Sequence, residues 1–172
     1  KITYKVTTGK PYFIDSIFKI IETPIIDTLY TREEKKSFIK KGDQYNYTNF
    51  DIERKRITQY LRNNGVYHFQ ESNVRYDAIH DDSTQKMNVN IKIEDRLVKK
   101  GDTLVKKPFS VYKISQVNIF TNNTSRKERN QFNDSVTYRN FNIYSAGKLK
   151  YKPKAITNAI FIEKGKLFSD ND

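Results

Sequence analysis

Ile2, Tyr4 and Val6 alternate with polar residues at the start of the chain, which is the period of a half-buried strand. Gly9 and Pro11 break that run, and "YFIDSIFKII" (12–21) predicts a second strand. The period then changes. Over 23–39 the apolar residues Ile25, Ile26, Leu29 and Tyr30 form one helical stripe, with Thr23 as a candidate cap and Pro24 at the first helical position. Gly42 ends that unit. Over 48–65, Phe50, Ile57 and Leu61 share a helical face, and Thr48 and Asp51 have capping-box spacing. Asn63-Asn64-Gly65 is a helix stop whose glycine accepts the left-handed conformation. Arg54, Lys55 and Arg62 point away from the apolar face and predict a basic outer surface. Two alternating runs follow, 73–79 and 87–93, joined by "HDDSTQK". Val74 and Tyr76 match Val89, Ile91 and Ile93 as core-facing positions of a hairpin.

Residues 12–96 therefore predict strand, helix, helix, strand, strand. This is an α+β unit whose three-stranded sheet is covered on one face by two helices. At roughly 80 residues it is near the lower size at which one core suffices. Residues 97–108, "LVKKGDTLVKKP", predict a basic linker, after which the pattern restarts. "YKISQVNIF" (112–120) repeats "YFIDSIFKI" (12–20), and "IEKGKLFS" (162–169) repeats "IKKGDQYN" (39–46). The two offsets differ, so the second copy, 109–172, carries an insertion near 121–147 that is rich in Asn, Ser, Thr, Arg and Lys and predicts a long loop. "PKAITNAIFI" (153–162) predicts its first helix. Residues 1–8 predict the last strand of a preceding repeat. "SDND" (169–172) stands where the first copy begins its second helix, with Ser169 or Asp170 as candidate caps. The expectation is a fragment of a tandem array.

Composition narrows the function classes. The chain has 172 residues, with 36% hydrophobic and 30% charged. Twelve Tyr and eleven Phe supply the apolar area that disordered chains lack. Thirty-two Lys and Arg against 20 Asp and Glu give a net charge of +12, which favours polyanionic partners: nucleic acid, anionic lipid headgroups or acidic proteins. The absence of cysteine excludes disulfides, thiolate catalysis and cysteine-ligated zinc. No apolar run approaches the ~20 residues of a membrane-spanning helix.

Candidate chemistry is sparse. The two histidines, His68 and His80, have no nucleophile beside them, and there is no phosphate-cradling glycine loop. His80-Asp81-Asp82 contains metal-ligating types, but it lies in a polar hairpin turn where such residues are ordinary. The expectation is no catalytic residue, no cofactor and no metal. Basic residues interleaved with Tyr and Phe are also what single-strand nucleic-acid binders use. The aromatics, however, fall at periodic positions that a core would claim, so the leading reading takes no nucleic acid as partner and keeps such a module as the alternative.

Three signatures stand in order: Val6-x-x-Gly9-x-Pro11-Tyr12-x-Ile14-x-x-Ile17, then Lys41-Gly42-x-x-Tyr45-Asn46, then a basic helix closing in Tyr60-Leu61-Arg62-Asn63-Asn64-Gly65-Val66-Tyr67. This set resembles the POTRA domain, the β-α-α-β-β module of the BamA/TamA family of outer-membrane protein assembly factors, and most of all its lipoprotein branch of the TamL type. The resemblance implies tandem POTRA units, each a three-stranded mixed sheet covered on one face by two helices. It implies a periplasmic, non-enzymatic scaffold in a protein attached to the outer membrane through its own C-terminal barrel. The partners it implies are unfolded outer-membrane proteins or accessory assembly proteins, bound by strand addition, and the basic surface adds an anionic membrane surface. In that family the second strand is the exposed edge. The edge maps here to Asn73, Val74, Arg75, Tyr76, Asp77 and Ala78, with Gln59, Arg62 and Asn63 as residues of the adjoining groove helix.

Overall fold

A computed structural model describes residues 3–5, 9–121 and 132–171. The chain divides into two units, one of Lys1–Leu61 with His68–Ser110 and one of Arg62–Tyr67 with Val111–Asp172. Both are α+β.

The first unit runs β1 (Phe13–Ile21), α1 (Pro24–Glu33), a 3₁₀ turn (Glu34–Lys36), α2 (Tyr47–Asn63), β2 (Val74–Asp81), β3 (Lys86–Ile93), β4 (Arg96–Lys100) and β5 (Thr103–Lys107). The last two residues of α2 belong to the second unit. The sheet order is β1-β3-β2, with β3 in the middle, parallel to β1 and antiparallel to β2. Parallel neighbours need a long crossover, and the two helices lie on the connection that carries the chain away from β1. Met87, Val89, Ile91 and Ile93 of β3 are buried in strict alternation, as the period-2 pattern requires. Ile26, Leu29 and Tyr30 of α1 and Phe50, Ile57 and Leu61 of α2 are buried too, whereas Ile25 is 39% exposed. Each such buried side chain contributes about 1.5–3 kcal/mol.

The caps differ from those the spacing suggests. Thr23 makes no side-chain bond to α1. Its hydroxyl donates to Asp95 at 2.5 Å and accepts the Phe109 N–H at 3.1 Å, so it ties down both ends of the β4–β5 hairpin. α2 begins one residue before Thr48, and the Asn46 side chain accepts the Thr48 N–H at 3.0 Å. Asn46, two positions before Thr48, directly precedes the first helical residue and so takes the cap position. Glu53, in helical phase with Phe50 and Ile57, has no exposed surface. It accepts the Phe38 N–H at 3.1 Å, which pins the segment between the helices.

Residues 97–108 are not a plain linker. Arg96 through Lys107 fold into the two-stranded sheet β4–β5, closed by Gly101 at φ +63°. Glycine at the first central position of a two-residue loop is what a type II′ turn demands.

The second unit contains β6 (Val117–Thr121), β7 (Asp134–Tyr138), β8 (Phe141–Ser145) and α3 (Pro153–Thr157). Its sheet order is β6-β8-β7, with β8 parallel to β6 and antiparallel to β7. The expected loop near 121–147 thus holds a hairpin, although its residues 122–131 lie outside the described ones. The hairpin forms because Phe141, Ile143 and Ser145 alternate into the interior, at 7%, 1% and 1% exposure. Among the described residues the three strands of the second unit precede α3, which ends at Thr157 rather than 162. The strand expected over residues 1–8 falls largely outside the described residues, and 3–5 are not in a strand.

One device does repeat. In the first unit the Gly42 N–H donates to the Ile14 carbonyl at 2.7 Å, the Ile14 N–H to Asp43 at 2.9 Å, and the Tyr45 N–H to Tyr12 at 2.8 Å. In the second unit Gly165 donates to Ile114 at 2.7 Å, Ile114 to Lys166 at 2.8 Å, and Phe168 to Tyr112 at 2.9 Å. Gly42 and Gly165 both have φ +89°, a conformation that costs side-chain-bearing residues dearly. The matching Lys-Gly sequences are therefore matching clamps on the start of each strand segment.

Candidate functional site

Among the described residues β2 is one of the two edge strands of the first sheet, the other being β1. β2 pairs with β3 from Val74↔Ile93 to Asp81↔Lys86 and with no other strand among the described residues. A strand in that position is a template for an extended guest. Sequence reasoning placed Val74–Ala78 on it, and the structure does so; Asn73 ends the short 3₁₀ turn just before it. The Asn73 side chain accepts the Gln70 N–H at 2.9 Å and fixes the chain's entry into β2.

Side chains of β2 divide by face. Val74 is buried, and Tyr76 turns inward to meet Phe50 edge-on at a centroid distance of 5.1 Å. Burial, with the Glu53 carboxylate nearby, pushes the Tyr76 phenol well above its ordinary pKa, so it stays neutral. Arg75 and Asp77 face out, and both are engaged within the sheet: Arg75 with Glu94, just after β3, at 3.3 Å and Asp77 with Lys92 of β3 at 2.5 Å. Ala78 is exposed, and Ile79 beyond it is 61% exposed. At the far end His80 stacks edge-on against Tyr12 at 5.2 Å and lies 3.4 Å from Asp82, to which the Tyr12 hydroxyl donates. Below the near end lies an open cleft of about 600 Å³ bordered by His68, Gln70, Asn73, Arg75 and Lys106.

The groove helix meets the edge through a residue that the sequence assigned to the outer surface. Arg54 donates from Nε to the Val74 carbonyl at 3.2 Å, its guanidinium sits 5.4 Å from the Tyr76 ring centre, and Asp51 holds it at 2.5 Å. Arg62 and Asn63 belong to the second unit. Arg62 makes two bonds to the Asp170 carboxylate and one to the Tyr67 carbonyl at 2.7 Å, within the second unit. The guanidinium holds the Asp170 carboxyl below its ordinary pKa. Asn63 accepts the Asp170 N–H at 3.0 Å and the Ser169 hydroxyl at 3.2 Å. Gln59 is exposed on α2. Arg54 lies one helical turn beyond Phe50, whose ring meets Tyr76 of β2, and that phase brings it to the strand.

Arg54 was legible as a partner of Asp51 at i, i+3 spacing, but that spacing does not say which strand lies beneath it. Glu53 was legible as a charge in the apolar phase of α2. Among the described residues no group of three His, Asp or Glu could hold a metal ion, and no helix is long and apolar enough to cross a membrane. Comparison of the sequence with protein-family models gives no matching family, and comparison with curated proteins gives no match.

Proposed function

We propose that the chain is a pair of POTRA-like units from an outer-membrane protein assembly factor of the BamA/TamA type, acting in the periplasm as a scaffold rather than a catalyst. The observation that carries this reading is the sheet order β1-β3-β2, which leaves β2 paired on one side only. The strand–helix–helix–strand–strand order of β1 to β3 supports it, as does the repeated glycine clamp in the second unit. An unfolded outer-membrane strand, alternating polar and apolar residues, pairs its main chain with β2 and needs no sequence code. Accessory assembly proteins with an extended segment bind the same way.

The test is a ¹⁵N NMR titration of the whole chain at physiological salt. One arm adds an alternating barrel-strand peptide and the other a single-stranded oligonucleotide. Shifts on residues 74–78 and Arg54 with peptide, persisting as salt is raised, are the expected result. Shifts with the oligonucleotide alone, vanishing with salt as phosphate contacts do, would replace this reading with a nucleic-acid-binding module.

A further inference from the structure

The β4–β5 hairpin has features that a connector does not need. Its cross-strand pairs are Arg96↔Lys107, Leu97↔Lys106, Val98↔Val105, Lys99↔Leu104 and Lys100↔Thr103. Directly opposed residues share a face, so one face carries Leu97, Lys106, Lys99 and Leu104 in a checkerboard. Leu97 is 60% exposed and Leu104 66% exposed. Diagonal neighbours across two strands are within reach of long side chains, so the two leucines form one small apolar spot between two lysines. The other face repeats the scheme, with Val98 and Val105 between Arg96, Lys107 and Lys100.

The base of this hairpin is fixed. The Glu22 carboxylate accepts the Asp95 N–H at 2.8 Å and binds Lys106 at 2.6 Å. Thr23 holds Asp95 and the Phe109 N–H, and Phe109 is buried 5.1 Å from the Phe69 ring. The outer part is left to the solvent: Lys99, Lys100, Lys107 and Leu104 are all exposed. Among the described residues, Arg96, Lys99, Lys100 and Lys107 have no carboxylate in ion-pair range.

We infer that this hairpin is a membrane-surface finger that docks on an anionic lipid bilayer. Leu97 and Leu104 enter the boundary between headgroups and acyl chains, Lys99 on their face and Lys100 at the tip meet headgroup phosphates, and Lys107 on the opposite face adds its attraction from within a Debye length. Charge complementarity selects an anionic partner, and the leucines select among anionic partners. Nucleic acid rewards aromatic stacking, and the hairpin has no aromatic residue. A bilayer interface takes apolar side chains and cations together, because lysine stems lie along the apolar layer while their ammonium groups stay in water. This inference stands on the hairpin alone and does not depend on strand addition at β2.

The test uses the whole chain and vesicles of phosphatidylcholine, with or without phosphatidylglycerol. The sequence has no tryptophan, so Leu104→Trp supplies a single fluorescent reporter, and Phe161→Trp, at a position 78% exposed, supplies a control. The expected result is sedimentation only with phosphatidylglycerol vesicles and a blue shift of the reporter at 104 but not at 161. Lys99→Gln, Lys100→Gln and Lys107→Gln together should weaken binding by about a hundredfold, roughly 5-fold for each charge near the surface. The matching Lys→Arg triple should keep it. No vesicle binding, equal binding by the Gln triple, or an unshifted reporter at 104 in the bound state would overturn the inference. So would an oligonucleotide that binds while the vesicles do not.

Discussion

Glu53 and Arg56, one helical turn apart on α2, form a two-pronged ion pair in which Nε and Nη2 of the arginine reach the two carboxylate oxygens at 2.8 and 2.7 Å. The carboxylate side chain is wholly buried and the arginine is 18% exposed. The bonds to Glu53 raise the Arg56 pKa further, so the guanidinium stays charged. Removing one partner of a buried pair typically costs about 3–5 kcal/mol, and Glu53→Ala also orphans the Phe38 N–H. We expect about 3 kcal/mol lost from Glu53→Ala, at the low end because Arg56 retains some contact with water. Glu53→Gln keeps an acceptor for Phe38 and should cost visibly less. Urea denaturation monitored by circular dichroism distinguishes them, and equal costs would mean that the Phe38 bond is irrelevant.

The turn between β2 and β3 is organised by one carboxylate. Asp81 accepts from the Ser83 hydroxyl at 2.6 Å, the Ser83 N–H at 2.9 Å and the Thr84 hydroxyl at 2.9 Å. These bonds favour the charged form and lower its pKa from 3.8 to about 2. A depressed carboxylate pKa stabilises the fold above the unfolded value, and the contribution fades as pH falls from about 4 towards 2. A carboxyl-detected NMR titration should find Asp81 titrating well below the ordinary aspartate range. A midpoint near the ordinary value would show that the turn bonds do not persist in solution.

Two glycines with positive φ should respond differently to alanine. At Gly65, φ is +92° and an added Cβ would meet Val111 Cγ1 at 2.7 Å and the Tyr112 carbonyl at 3.2 Å. At Gly101, φ is +63° and nothing lies within 4 Å. Gly101→Ala should cost about 1–2 kcal/mol from backbone conformation alone, and Gly65→Ala distinctly more. Thermal melts of the two variants give the comparison, and the idea fails if Gly65→Ala is the milder change.

Arg54 fixes the phase of the β2 edge. Main-chain groups of a strand alternate in direction with period two, and the Val74 carbonyl is the one that Arg54 reaches from outside the ladder. Tyr76, Ala78 and His80 share that phase, so their amides should exchange with solvent faster than those of Arg75, Asp77 and Ile79. Hydrogen-exchange NMR reads this directly. Uniform protection along β2 would mean that the edge is covered in solution.

How far the sequence carried this picture depended on which residues decide it. The helical phase of Phe50, Ile57 and Leu61 and the alternation of Val89, Ile91 and Ile93 placed the core of the first unit, because burial repeats at the period of the element. The strand register followed from the same alternation. The β7–β8 hairpin escaped notice because it turns on Arg139 and Asn140, with Arg139 at φ +53°, rather than on a glycine pair. The β4–β5 hairpin hid behind its lysines, since neither face is buried enough to leave an apolar stripe. At the candidate site the strand itself was legible, but the contact of Arg54 with it was not. Helical spacing tells which residues share a face, not which face a particular strand lies against.

The duplicated clamp around Gly42 and Gly165 has an architectural consequence. Both clamps close with the same hydrogen bonds, although very different lengths of chain separate each glycine from the isoleucine it grips. Closure is thus indifferent to how much chain is threaded between: each unit sets a strand and a helix there, and among the described residues the second adds β7 and β8. Such a joint lets a lineage lengthen or replace the intervening segment without renegotiating the frame.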